Sequence, residues 1–310
     1  MGHSTDRRTF LKTGLVAGAA ALVGGRGGTG LFASALESQA DLAVVKGTDY
    51  FAGARKAVDL LGGMGKFVPR GGRVGLLINA PGWWKLPGSH VNADIVLSTI
   101  RMCQDAGAGE IVYLLDPSAD IWKRTPLSAK HEDAIRAVRA CSGNYVETEV
   151  KGGLALKKAS VIKEILDCDA WIDLSIGKNH EGTNFSGCLK NWMGACQGKT
   201  NQFFHSGSGK GGGEYADIDF LSQCIADVNL LRRPYLALLD ATVVLASNGP
   251  AGPGELKRFE KIVAGRDAVA VDTYAAGLLG RGPDDIAMLG KAAAHGLGRT
   301  DLEGLDVKEI

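Results

Sequence analysis

Between Ser175 and Glu214 the chain reads SIGKNHEGTNFSGCLKNWMGACQGKTNQFFHSGSGKGGGE, a concentration of donors, nucleophiles and glycines found nowhere else in its 310 residues. Lys178, His180, Cys188, Lys190, Asn191, Cys196, His205 and Lys210 all fall within it. Two imidazoles and an ammonium can bind a metal or an anion, or move protons near neutral pH. A lysine buried beside other cations loses proton affinity and can serve as a nucleophile or a cofactor tether. The candidate catalytic residues are therefore His180, Lys190 and Lys178. Lys190, Asn191, Lys210 and Asp240 are candidates for holding a cofactor, and His205 and His180 are candidate metal ligands. The plainer readings are a loop histidine bonded to a backbone carbonyl and, for Lys190-Asn191, a helical N-terminal turn packed on a sheet. Because the stretch is cationic, the matching substrate is a small polar anion, and proton abstraction or redox chemistry at a metal suits these groups.

Other residues are weighed the same way. Gly207-Ser208-Gly209-Lys210-Gly211 resembles a P-loop but fails its pattern, because a glycine follows Lys210. Its amides could form an anion nest, although a lid or a flexible loop is the simpler reading. Asp240 and Asp272 both follow apolar runs, as strand-end residues facing a ligand crevice would, but helix capping explains Asp272 well. Trp83 and Trp84 could wall a pocket for a planar ligand, with His90 nearby. Of the cysteines at 103, 141, 168, 188, 196 and 224, no two form a C-x-x-C, and no zinc or ferredoxin spacing occurs. An even count in an exported protein permits disulfides. Cys188 and Cys196 are the pair to test as ligands or a redox couple, while Cys103 and Cys224 read as small buried hydrophobes.

The elements that must position these residues follow from periodicity. Ala170–Ile176 is a continuous apolar run, read as a buried strand, and a polar loop leaving such a strand is where an open α/β sheet places its ligand. Upstream, Val74–Ile78 and Glu110–Leu115 read as strands joined by a helix over Ala93–Ala106, a βαβ crossover. A helix over Ala52–Met64 precedes them. A helix over Leu127–Ala140, a strand over Tyr145–Val150 and a helical stretch at Val161–Leu166 follow. Beyond the central stretch come a helix over Asp217–Asn229, a strand over Tyr235–Leu239 and a second apolar stretch at Val243–Ala246. A strand region from Ile262 to Val271 leads to helices over Thr273–Leu279 and Ile286–Ala294. The alternation predicts an α/β fold: mostly parallel sheet with helices on both faces, in one domain or two lobes around a site loop at 175–214.

The N-terminus supplies an address. Thr5-Asp6-Arg7-Arg8-Thr9-Phe10-Leu11-Lys12 is a twin-arginine motif followed by a weakly apolar run, Gly14–Gly24, about half the length needed to span a bilayer. Ala33-Ser34-Ala35 and Ser38-Gln39-Ala40 offer small-residue cleavage sites. Residues 1–40 are read as a signal peptide and 41–310 as a single α/β domain. The implied partner is the twin-arginine export machinery, the implied location the periplasm, and no membrane span is expected after processing. Since that pathway carries folded proteins, many of them already loaded, a cofactor is favoured: a transition metal or a metal-containing organic group, without a ferredoxin-type cluster. With 35 basic against 34 acidic residues, no nucleic-acid or membrane-surface field is implied.

Two resemblances add to this reading. GARKAVDLLGGMGKFVPRGGRVGLLIN, DAGAGEIVYLLD, GKNHEGTNFSGCLKNWMG, LLDATVVLASNGPAGPGE and DAVAVDTYAAGLLG resemble, in order, an uncharacterised family labelled domain of unknown function 362. Some of its members carry an appended ferredoxin-like domain, whose cysteines this chain lacks. Locally, His180, Lys190 ten residues on, and His205 fifteen further are similar to the spacing in the nickel-dependent lactate racemase family, with Phe185-Ser186-Gly187-Cys188 ahead of the lysine. That resemblance implies His180 as acid/base, Lys190 as tether of a nickel pincer cofactor and His205 as nickel ligand. Cys188 in place of a glycine, a final spacing one residue short and the missing glycine-threonine-histidine-arginine phrase are departures from it. The function expected is an exported metal- or cofactor-binding enzyme acting on a small anion. The alternative is a non-catalytic binding protein or accessory subunit of an exported redox complex, with a redox protein as partner.

Overall fold

The computed structural model of the chain describes residues 40–82, 86–211, 213 and 215–310. Contacts divide the chain after Ser38, and every described residue lies in the second unit, Gln39–Ile310. The twin-arginine segment, Trp83 and Trp84 lie outside the described residues.

The first half contains β1 (Leu42–Lys46), α1 (Tyr50–Leu60), β2 (Arg73–Ile78), α2 (Ala93–Asp105) and β3 (Glu110–Leu115). Next come α3 (Glu132–Arg136), β4 (Tyr145–Glu149), β5 (Lys158–Ile162), α4 (Lys163–Asp167) and β6 (Ala170–Ile176). The central stretch holds β7 (Lys178–His180), β8 (Asn184–Ser186), α5 (Cys188–Asn191) and α6 (Gly198–Ser206). The chain then forms α7 (Ile218–Asn229), β9 (Leu236–Leu245), β10 (Leu256–Gly265), α8 (Ala268–Leu278), α9 (Ala287–Ala294) and β11 (Val307–Glu309).

Seven strands form one sheet in the order β11-β1-β10-β9-β6-β2-β3. β3, β2, β6 and β9 run parallel, β10 is antiparallel to both its neighbours, and β11 is parallel to β1. Alternate strand residues feed two cores, as the two-residue period of a strand requires. Leu77, Trp171, Leu239 and Val263 pack beneath α7, α8 and α9. Leu76, Ile172, Leu238 and Ile262 pack beneath α1 and α2. The fold is thus α/β, mostly parallel, with helices on both faces.

The crossover from β2 through α2 to β3 forms as its sequence predicts. Asn92 caps α2 by accepting the Asp94 amide at 2.9 Å, and Gly107, at φ +85°, lets the chain turn out of the helix. Other expectations give way. Val161 and Ile162 belong to β5, which pairs with β4 in a separate two-stranded sheet and not in the main one. The helix expected over Leu127–Ala140 is a 3₁₀ segment, Pro126–His131, followed by the short α3. Ala268–Val271, uniformly apolar and so without a period, is helical because the Asp267 carboxylate accepts the Val269 and Ala270 amides. β9 continues through Asp240 to Leu245 as one strand. Most consequential, the central stretch is no loop: it is a hairpin and two helices laid across the end of the sheet.

Candidate functional site

The sheet order creates a switch point. From β2 the chain crosses one face through α2 to the edge strand β3, whereas from β6 it crosses the opposite face before returning as β9. The crevice beyond the carboxyl ends of β2 and β6 is the place where such sheets bind ligands. A cavity of about 470 Å³ opens there. Asn79 and Pro81 reach it from the end of β2, Leu115 from β3, His180 and Ser186 from the hairpin, and Lys190 and Asn191 from α5. His205 closes it from α6, together with Tyr215, Tyr145, Met193, Cys196 and Asn201. Among the described residues no aspartate or glutamate belongs to this lining.

Each polar group is held by identifiable contacts. α5 has four residues and starts at Gly187; its first amides, Cys188 and Leu189, donate to the two Asp272 oxygens at 2.6 and 2.9 Å. Gly187 is required there, since a Cβ would stand 2.2 Å from the Asp272 Oδ1. The α8 carboxylate therefore sets the height at which Lys190 and Asn191 project. Asn191 donates to the Leu77 carbonyl and to Asp173 at 3.1 and 3.0 Å, and accepts from the Asn79 amide at 3.1 Å. Asp173, buried beneath it, is pushed well above the usual carboxylate range, first by desolvation and then by the Asp272 charge. Burial thus favours its protonated form over the charged one.

His180 is almost fully buried, and its Nδ1 accepts the Gly182 amide at 3.0 Å. Desolvation, then the charges of Lys190, Lys178 and His205, push its pKa down to about 2. The ring is therefore neutral, carries its hydrogen on Nε2, and offers the site a donor with no remaining lone pair. To act as a base or a metal ligand, as the sequence reading has it, the ring would need this hydrogen moved to Nδ1. Tyr215 lies edge-on to both imidazoles, with ring centroids 5.6 Å from His180 and 5.7 Å from His205. Gly182 makes room for it, because a Cβ there would meet the Tyr215 ring at 2.2 Å.

His180, Lys190, Asn191 and His205, as much as 25 residues apart in the chain, thus line one cavity. Cys196 lines it as well, whereas Lys178, Lys210, Asp240 and His90 do not. Lys178 is fully buried, donates to the Ser89 carbonyl, and has its pKa lowered to about 6 by desolvation and then by Lys190. Lys210 is exposed and pairs with Asp217 at 2.9 Å. Asp240 is not a strand-end residue: from the middle of β9 it accepts the Asn92 amide at 2.7 Å and the Thr242 amide at 2.8 Å, anchoring the start of α2. His90 bonds the neighbouring Val91 carbonyl. All six cysteines are free thiols; burial raises both Cys188, whose sulfur lies 3.1 Å from the Ser175 hydroxyl, and Cys196. Among the described residues no three His, Cys, Asp or Glu side chains are grouped to hold a metal ion, and no helix is long and apolar enough to cross a membrane. Tyr215, Asn79, Asn201, Tyr145 and Met193 are lining residues that sequence reasoning missed. Only Asn79, at the end of a predicted strand, carried a usable signal.

The family profile described as domain of unknown function (DUF362) matches residues 74–277, a span that includes the whole cavity lining. A profile of the twin-arginine translocation pathway signal sequence matches residues 4–24. A thylakoid-associated protein of Synechocystis sp. is 25% identical over 260 residues, covering 81% of this chain and 77% of the relative. A solved structure of a protein from Thermotoga maritima aligns with a TM-score of 0.41 at 14% identity, covering 76% of this chain and 60% of that one.

Proposed function

The chain belongs to the family described as domain of unknown function (DUF362), and we propose that it is an exported protein whose cavity binds a small organic anion and moves a proton on it. The observation that carries this reading is a cavity whose described lining holds a lysine, a neutral imidazole donor and several amides. Such a lining suits a negative charge that has left water. Lys190 supplies the countercharge, the His180 Nε2–H and the Asn79–Asn191 pair orient the ligand, and His205 is the imidazole assigned to proton transfer. The twin-arginine signal supports export, and we assign the periplasm as its destination.

A metal-containing organic cofactor could use Lys190 as tether and His205 as ligand. His180 could join as a ligand only after its proton moved from Nε2 to Nδ1 and the Gly182 bond broke. Among the described residues no group of three His, Cys, Asp or Glu side chains would hold a metal ion without such a cofactor.

Equilibrium dialysis of the purified chain against acetate, benzoate and inorganic phosphate tests the binding. At least one should bind, and Lys190→Gln should weaken it tenfold or more. Absence of binding by every anion, or binding indifferent to Lys190, would sink the reading. The second reading is a non-catalytic binding protein or an accessory subunit of an exported redox complex. The occupied lone pair of His180 and the burial of Lys178 favour it, since they leave His205 with little catalytic company. Incubation of a bound 2-hydroxy acid in heavy water separates the two: deuterium at the α-carbon supports proton transfer, and none supports binding alone.

A further inference from the structure

The cavity is polarised along the sheet. At the β6 end stand His180, Ser186 and Lys190, with Tyr215 over them. At the β3 end the lining is Leu115, Tyr145, Met193 and Cys196, with the Asn201 amide held by donating to the Met193 and Cys196 carbonyls. The two ends are set by topology. Gly194, next to Met193, lies against Leu115, where its Cβ would be 3.3 Å from the leucine methyl. Tyr145 belongs to β4, where it pairs with Ile162, and Cys196 makes an isolated bridge to Val161 of β5, so both sit against the small β4–β5 sheet. Between the ends lies β2, hydrogen-bonded to β6 on one side and β3 on the other. Two strand spacings, roughly 10 Å, separate β6, which leads into the hairpin, from β3, which carries Leu115. Acetate or an inorganic anion could satisfy the first end but would leave the second in contact with water.

We infer that the ligand is an amphipathic organic monoanion: one carboxylate-like head at Lys190 and His180, carrying an apolar body that packs against Leu115, Tyr145 and Met193. This rests on the anion-binding reading above and narrows it. The head is single, because Lys190 is the one lysine or arginine among the lining residues described. The body is apolar because each buried methylene gains about 0.8 kcal/mol from leaving water, close to fourfold in affinity.

The test is calorimetric titration of the purified chain with acetate, benzoate, 3-phenylpropanoate and 3-phenylpropanamide. Affinity should rise from acetate to 3-phenylpropanoate by thirtyfold or more, and the amide should bind at least tenfold more weakly than its acid. Tyr145→Ser and, as a second variant, Met193→Gln should reduce the advantage of 3-phenylpropanoate over acetate to less than threefold, with circular dichroism confirming the fold. If acetate binds as tightly as the aromatic acids, the inference falls and the anion-binding reading stands. An amide that matches its acid overturns the inference through its charged head. If no acid binds at all, both fall together.

Discussion

Lys178 and His180 sit two positions apart on β7, on the same face of a strand, and burial takes the proton from both. For His180 the result is a neutral donor. For Lys178, with a pKa near 6, it is an amine that is uncharged through most of the neutral range. The unfolded chain holds a lysine proton up to about pH 10, whereas the folded one releases it near 6, so between these limits the unfolded state binds more protons. Stability from this group therefore rises with pH across that window and is lost as pH falls through it. The unfolding free energy of the wild type should rise, relative to that of Lys178→Met, by up to about 1.4 kcal/mol per pH unit between pH 7 and pH 9. Urea denaturation at three pH values measures it, and parallel pH slopes for the two proteins would show that Lys178 keeps its charge on folding.

A four-residue helix such as α5 has no stability of its own, because helix nucleation is costly. Its anchor is Asp272 on α8, a neighbour in space but 84 residues from Cys188 in the chain. Desolvation raises the Asp272 pKa to about 7 in spite of the two amide bonds it accepts. Replacing Asp272 with Ala strands two buried N–H groups and should cost about 2 kcal/mol. It should also weaken anion binding, because Lys190 loses the support that fixes its height. A variant destabilised by that amount but with unaltered anion affinity would mean that α5 is held by its packing on β6 and not by the carboxylate. The same geometry explains why Tyr215 was illegible: its role depends on the absence of a side chain at Gly182, which only the close approach of the two segments reveals.

For the whole molecule, the sheet gathers residues from β2, β3, the hairpin and α6 at one edge, and the N-terminal signal sends the folded unit across a membrane. The twin-arginine pair should be indispensable to that second property. The double substitution Arg7→Lys with Arg8→Lys should leave the precursor uncleaved inside the cell, with little reaching the exported fraction, as immunoblots of cell fractions would show. Export at the wild-type level would argue that another segment carries the address.

The sequence by itself determined what depends on short range. Apolar runs set β2, β3 and β6, Asn92 and Gly107 bounded α2, and the spacing from His180 to Lys190 to His205 marked the stretch that lines the cavity. Only the tertiary structure decided what depends on neighbours distant in the chain. Asp240 looked like a site residue and became an anchor for α2. Lys178 looked catalytic and was buried against Ser89. His180 looked like a base, and the Gly182 amide made it a donor. The reason is common to all three: residue type specifies which hydrogen bonds and charges a side chain can have, but burial and the partner brought to it by the fold select which of them it keeps.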